Sequence, residues 1–229
     1  MIHSPSDIIK LVNHRGFLPF FANEISGFSL EEETPEEFWF PDNTIEGVWE
    51  WKSQVIIDGD IAYGKFFQGK ACFISLEWFP DFCNYRRSIN TLTSKEKEIL
   101  NTVKEHGSLL SKQLKRLCGY DMPRQKRTPI DKVVEKAAPK RRAVKMQSFD
   151  SAITHLQMSG WLLTADFEYG YDRKGQRYGW GVARYCTPED FFSPERMSVK
   201  ASPSESRSRI IEFLNKTYPD YANPARILV

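Results

Sequence analysis

A chain of 229 residues with 41% hydrophobic and 14% aromatic content can bury one large core or two small ones, and at 27% charged residues it fits neither a disordered nor a fibrous class. No apolar run approaches the roughly 20 residues that span a bilayer, so no membrane partner is expected. The formal net charge of +2 conceals a division, because residues 1–90 carry −7, residues 91–200 carry +8 and residues 201–229 carry +1.

Opposite signs on adjacent stretches predict two units with different tasks, the basic one facing a polyanion. In the acidic unit, Ser4-Pro5-Ser6 starts a short helix over Ser6–Asn13, with Ile8, Ile9, Leu11 and Val12 on its apolar side and Gly16 at its end. An acidic loop, Glu31–Glu37, leads into the aromatic cluster Phe38-Trp39-Phe40. Val48–Ile57, rich in Trp, Val and Ile, reads as a strand, Asp58-Gly59-Asp60 as a turn, and Ile61–Phe67 as a second strand. Gln68-Gly69-Lys70 turns the chain into Ala71–Ser75, and Leu76–Tyr85 reads as a helix packing Trp78, Phe79 and Phe82.

Thr93 and Glu96 form a capping box at the start of the second unit, since each side chain can accept the other's free backbone N–H. Ile99, Leu100 and Val103 share one face of this helix, and Gly107 stops it. A second helix from Ser111 carries Leu114, Leu117 and Cys118 inward, and a third, Ser148–Ser159, buries Phe149, Ile153, Leu156 and Met158. Trp161–Tyr169 and Tyr178–Cys186 then form a long hairpin with a basic tip, closed by Pro188. Three helices and a hairpin, from about Leu92 to Phe192, give the order of a winged helix-turn-helix. The expected fold class is α+β. An acidic, Trp-rich α+β domain (1–90) precedes a winged-helix domain (91–200) with a basic insertion (120–147), and a C-terminal helix and tail (201–229) opens on Ser202, Pro203 and Glu205. Within the insertion, Thr128-Pro129 and Asp131 predict a short helix through Ala138.

Positive charge is densest from Lys112 to Lys145, opposed only by Asp121, Asp131 and Glu135. Phosphate neutralisation releases counterions, so binding through such a stretch falls steeply with salt. The DNA-binding candidates are Arg124, Lys126, Arg127, Lys140, Arg141, Arg142 and Lys145 in the insertion, with Arg173, Lys174 and Arg177 at the hairpin tip. A solvated, soluble face is the plainer account of any charge run.

Gly64–Ala71 imitates the spacing G-x-x-x-x-G-K of a P-loop, but Ala71 stands where a Ser or Thr would hold magnesium, and Phe66-Phe67 fill a loop that must wrap phosphate. A strand and a turn explain it better. His3, His14, His106 and His155 have no partner four residues away, so neither a metal nor a cofactor is expected. Cys72, Cys83, Cys118 and Cys186 lack C-x-x-C spacing, and Met1–Lys10 has no basic stretch leading into an apolar one. Both features predict reduced thiols in a cytoplasmic protein.

A polar and aromatic set remains: Trp49, Glu50, Trp51 and Lys52, then Tyr63 and Lys65, then Arg86 and Arg87. Alternation along the expected strand puts Trp49 and Trp51 on one face and Glu50 and Lys52 on the other. A carboxylate near cations, with rings to stack a base, suits base extrusion and hydrolysis. A Trp-rich core beside surface ion pairs accounts for the same residues without any chemistry.

The block Gly64-Lys65-Phe66-Phe67-x-Gly69-Lys70-Ala71-x-Phe73-Ile74-Ser75-x-Glu77-Trp78-Phe79-Pro80, ending in Asn84-Tyr85-Arg86-Arg87, resembles a group of bacterial proteins described as AlkZ-related. So does the run from Leu156-Gln157-Met158 through Tyr178-Gly179-Trp180-Gly181 to Pro188-Glu189. The likeness covers about Leu11 to Phe192. AlkZ proteins are winged-helix DNA glycosylases that release bulky alkylated bases and interstrand crosslinks through a Gln-x-Gln or Gln-x-Asp motif. The resemblance therefore implies a winged-helix fold and double-stranded DNA as partner. Gln54, Gln68, Gln113, Gln125, Gln147, Gln157 and Gln176 all lack the second motif residue, so no catalytic residue carries over.

Three functional readings follow. One is a DNA-binding repair protein that recognises alkylated or distorted DNA. Any glycosylase-like activity would then use Glu50 to activate water, Trp49 or Trp51 to stack a base, and Lys65, Arg86 or Arg87 to hold phosphate. Another is a transcription regulator whose N-terminal unit senses a ligand or forms a homodimer. A third has that unit docking a protein partner.

Overall fold

The computed structural model describes residues 1–41, 46–120, 147–175, 177–219 and 228. Among these, nine α-helices and two three-stranded antiparallel sheets make an α+β arrangement. Helix α1 (Pro5–Arg15) starts where the Ser4 hydroxyl accepts the Asp7 N–H at 3.3 Å, and it ends at Gly16, whose φ of +71° suits glycine. Strand β1 (Phe17–Pro19) follows directly. The acidic stretch is partly ordered, because Ser29 caps the single-turn helix α2 (Leu30–Glu33) and a 3-10 turn covers Glu36–Phe38.

Val48–Ile57, expected as a strand, is instead helical, within α3 (Val48–Asp58). Two features override the β-preference of its Trp, Val and Ile residues. Glu50 sits three residues after the N-cap Gly47 and accepts its backbone N–H at 3.0 Å, satisfying a donor that the helix leaves free. Buried Val48, Trp51, Val55 and Ile56 also recur with helical rather than alternating spacing. Trp49 and Lys52 therefore share a face, and Trp51 turns away to pack on Phe38 at 5.0 Å between ring centres.

Strands β2 (Ile61–Phe67) and β3 (Lys70–Ser75) form a hairpin, and β1 pairs on the other side of β3. Gln68 (φ 50°) and Gly69 (φ 70°) make the two-residue turn, so the P-loop spacing falls on a hairpin. Helix α4 (Phe79–Ile89) begins after Trp78, three residues later than expected.

The Thr93–Glu96 capping box opens α5 (Ser94–His106). Strand β4 (Ser108–Leu110) and α6 (Ser111–Leu117) follow, and after the undescribed residues 121–146 comes α7 (Phe149–Met158). Strands β5 (Leu163–Tyr171) and β6 (Arg177–Cys186) form the long hairpin, with β4 pairing on β6 so that the sheet order is β4-β6-β5. Short α8 (Pro188–Phe192) and α9 (Pro203–Thr217) complete the described elements.

Three apolar clusters hold these elements together. One lies between α5, α6 and α7, around Ile99, Val103, Leu114, Ile153 and Leu156. A second gathers Ile8, Phe20, Trp39, Trp51, Val55 and Phe73. The third joins Phe66, Phe79 and Phe82 to Leu163, Cys186 and Ile210, so both sheets and α9 share one core. The third cluster is reinforced where α4 meets the end of α7. There a Cβ on Gly160 would fall 2.9 Å from the Cys83 Cα, and only glycine permits so close an approach.

Candidate functional site

The insertion candidates Arg124, Lys126, Arg127, Lys140, Arg141, Arg142 and Lys145 lie outside the described residues, as does the helix expected through Ala138. The hairpin candidates lie within them. Arg173 and Lys174 are exposed at the tip, next to Tyr171, which is 65% exposed. Arg177 bends back toward α3, and its guanidinium donates to Glu50 at 2.8 Å while lying 4.4 Å from the Tyr169 ring centre.

Beside this contact lies a cavity of about 300 Å³ between α3 and the hairpin, lined by Trp49, Glu50, Lys52, Tyr169, Gly179 and Gly181. A bulge makes room for it. Glu168 pairs with Val182 and Gly170 with Tyr178, so Tyr169 alone faces the three residues 179–181. A Cβ on Gly181 would stand 2.9 Å from the Tyr169 ring and from the Phe167 Cβ. The Tyr169 hydroxyl in turn donates to the Trp49 carbonyl at 3.2 Å, fixing the hairpin to α3.

Lys52 is the unusual member of this group. It is 9% exposed, and among the described residues its Nζ has no hydrogen-bond acceptor. It lies 4.0 Å from the Phe167 ring centre and 5.2 Å from that of Trp49. Ring faces offset only part of the hydration that an ammonium loses. Burial pulls the Lys52 pKa down from 10.5 to about 8, against the opposing pull of the Glu50 carboxylate. Glu50 is held by two donors, Gly47 N–H on one oxygen and Arg177 on the other.

The remaining candidates lie elsewhere. Tyr63 is buried against Phe73 and Phe167, and burial raises its phenol well above the usual value. Lys65 is exposed on β2, its Nζ 3.3 Å from the Thr154 hydroxyl and its backbone N–H donating to Gln157 at 2.7 Å. Arg86 and Arg87 serve the end of α7, where carbonyls lack helical partners. Arg86 donates to the carbonyls of Met158 (2.8 Å) and Leu228, while Arg87 donates to the Gly160 carbonyl and pairs with Glu189 at 2.5 Å. Trp49, Glu50 and Lys52 thus share one cavity, whereas Trp51, Tyr63, Lys65, Arg86 and Arg87 belong to other contacts.

Sequence reasoning missed Tyr169, Phe167 and the two glycines of the bulge. The signal was present, since Gly-Trp-Gly inside a strand marks a bulge or a close approach. It also missed the burial of Gln157, which accepts the Lys65 N–H near the C-terminal end of α7, while Asp150 and Ser151 in its first turn stay exposed.

All four cysteines are free and buried. Among the described residues, no three His, Cys, Asp or Glu side chains gather as metal ligands, and no helix is long and apolar enough to cross a membrane. Compared with curated proteins and with solved structures, the chain finds no match. A family model described as AlkZ related does match, over residues 2–227, and on that near-complete coverage the chain belongs to the AlkZ-related family.

Proposed function

We propose that this is a DNA-binding winged-helix protein of DNA repair, which recognises alkylated or distorted duplex by its basic hairpin and receives an extruded nucleotide in the α3–hairpin cavity. The observation that carries this reading is one hairpin with two parts of different character. Its tip exposes Tyr171, Arg173 and Lys174, and just below the tip its bulge walls a cavity with Trp49, Glu50 and Lys52. Cations at a wing tip suit phosphate or minor-groove contact, and an aromatic beside them suits stacking on an exposed base.

The winged-helix reading is supported by sheet order β4-β6-β5 with α5, α6 and α7 packed around one core. The division into an acidic domain, a winged-helix domain and a C-terminal helix belongs to the same proposal. Exposed Lys112 and Arg116 on α6, with the insertion cations Arg124 to Lys145, would extend the phosphate-binding surface. Membership of the AlkZ-related family favours repair over regulation.

Fluorescence-anisotropy titration of intact and alkylated duplexes at two salt concentrations tests this reading. Salt-sensitive binding that favours the alkylated or distorted duplex is expected, since a weakened base costs less to extrude. Binding to one undamaged sequence far above all others would point to a regulator, and no binding to any duplex would leave a protein partner.

A further inference from the structure

We propose that Lys52 forms an imine with an aldehyde presented in the α3–hairpin cavity, and that this aldehyde is the ring-opened C1′ of an abasic deoxyribose in DNA. The inference rests on the DNA-binding reading above and adds a substrate class to its cavity.

A buried lysine ordinarily meets a carboxylate or carbonyls, because a desolvated ammonium without a partner is costly. Lys52 lies against the ring faces of Trp49 and Phe167, and the nearby Glu50 carboxylate is committed to the Gly47 N–H and Arg177. An apolar setting keeps an amine ready to lose its proton, and the neutral amine is the nucleophile in imine chemistry. With its pKa near 8, Lys52 is neutral in a useful fraction of molecules at mildly alkaline pH. The cavity of about 300 Å³ has room for a sugar.

Chemistry narrows the choice of ligand, because a neutral amine forms an imine with an aldehyde carbon. The abasic sugar is what remains once a base–sugar bond has been hydrolysed, so the reaction class that supplies this substrate is base removal.

The step balances without an oxidant. The Nζ lone pair forms a bond to the aldehyde carbon, the carbonyl π pair moves onto oxygen, and the nitrogen proton passes to that oxygen. Loss of water then leaves C=N. Glu50 lines the same cavity and is the adjacent group able to carry the proton.

The test mixes the full chain with a duplex carrying one abasic site, adds borohydride to reduce any imine to a stable secondary amine, and maps the modified residue by mass spectrometry. The expected adduct lies on Lys52, rises in yield from pH 6 to 8, and falls at least tenfold in Lys52→Met. That variant removes a buried charge and should fold. Anisotropy on the same duplex reports binding separately, and propanal replaces DNA in a parallel reaction. Binding of the abasic duplex with no adduct, or with the adduct on another amine, overturns the proposal. Propanal labelling of Lys52 beside a bound but unreacted duplex overturns DNA as the source of the aldehyde. Absence of binding shows instead that the underlying DNA reading fails, and the proposal with it.

Discussion

Arg177, on the first residue of β6, donates to Glu50 on the first turn of α3 across 127 residues of sequence at 2.8 Å. The same carboxylate accepts the Gly47 N–H, so one side chain caps a helix and anchors a hairpin. Glu50 side-chain exposure is 17% and that of Arg177 is 35%, which makes the pair partly shielded. A double-mutant cycle of Glu50→Gln and Arg177→Met should give a coupling of about 0.5–1.5 kcal/mol in urea unfolding. Glu50→Ala should cost more than Glu50→Gln, because alanine also loses the cap. A coupling of zero would show that Arg177 adds nothing to the contacts of Tyr169 and Phe167 that hold the hairpin here.

Lys52 gives stability a distinctive pH dependence. The unfolded chain keeps this proton up to the ordinary lysine value of 10.5, and the folded chain releases it near 8. Unfolding therefore takes up a proton between those values, and native stability rises with pH across the window from about 8 to 10.5. Lys52→Met should be more stable than the parent below pH 8, by on the order of 2–3 kcal/mol, and the gap should close toward pH 10.5. Urea midpoints at pH 7, 8.5 and 10 measure this. A pH-independent gap would mean that Lys52 titrates as an ordinary surface amine.

Glu96 makes the opposite prediction at acid pH. Burial alone would raise its carboxyl, yet donation from the Thr93 N–H, Gln147 and His155 holds it below the usual value. The stabilisation is fully present above the ordinary glutamate range and is lost as pH falls through the lower, folded value. Glu96→Gln should destabilise by roughly 1–3 kcal/mol at pH 7, with a smaller difference near pH 3. Acid titration of the two proteins, followed by circular dichroism, provides the check.

Arg86 and Lys65 should separate sharply. Buried Arg86 satisfies two carbonyls, whereas exposed Lys65 meets only a hydroxyl through its side chain. Arg86→Ala should cost roughly 2–4 kcal/mol and Lys65→Ala under about 0.5 kcal/mol, read from thermal or urea unfolding. Equal costs would contradict the assignment of Arg86 to the end of α7.

Most of the fold was legible where turn and cap chemistry is local. Gly16, Gly107 and Gly160 mark helix ends, and the capping boxes at Thr93 and Ser202 mark helix starts. The failure at Val48–Ile57 is equally physical, because Trp, Val and Ile favour strands until a cap and a helical burial pattern outvote them. The cavity was half legible. Trp49, Glu50 and Lys52 stand together in sequence, but their partners arrive from a hairpin some 120 residues later, in register only because of the bulge at 179–181. Sequence also joined Arg86 and Arg87 to that set, because cations look alike until their acceptors are known.

The most direct test of the central claim attaches a thiol-reactive photocrosslinker to Lys174→Cys at the hairpin tip. The four native cysteines are buried, so labelling should fall on the introduced thiol. Irradiation with a duplex carrying a distorted site should give a protein–DNA crosslink that is lost at high salt. A duplex that binds but yields no crosslink from this position would contradict the account and move the interface away from the hairpin.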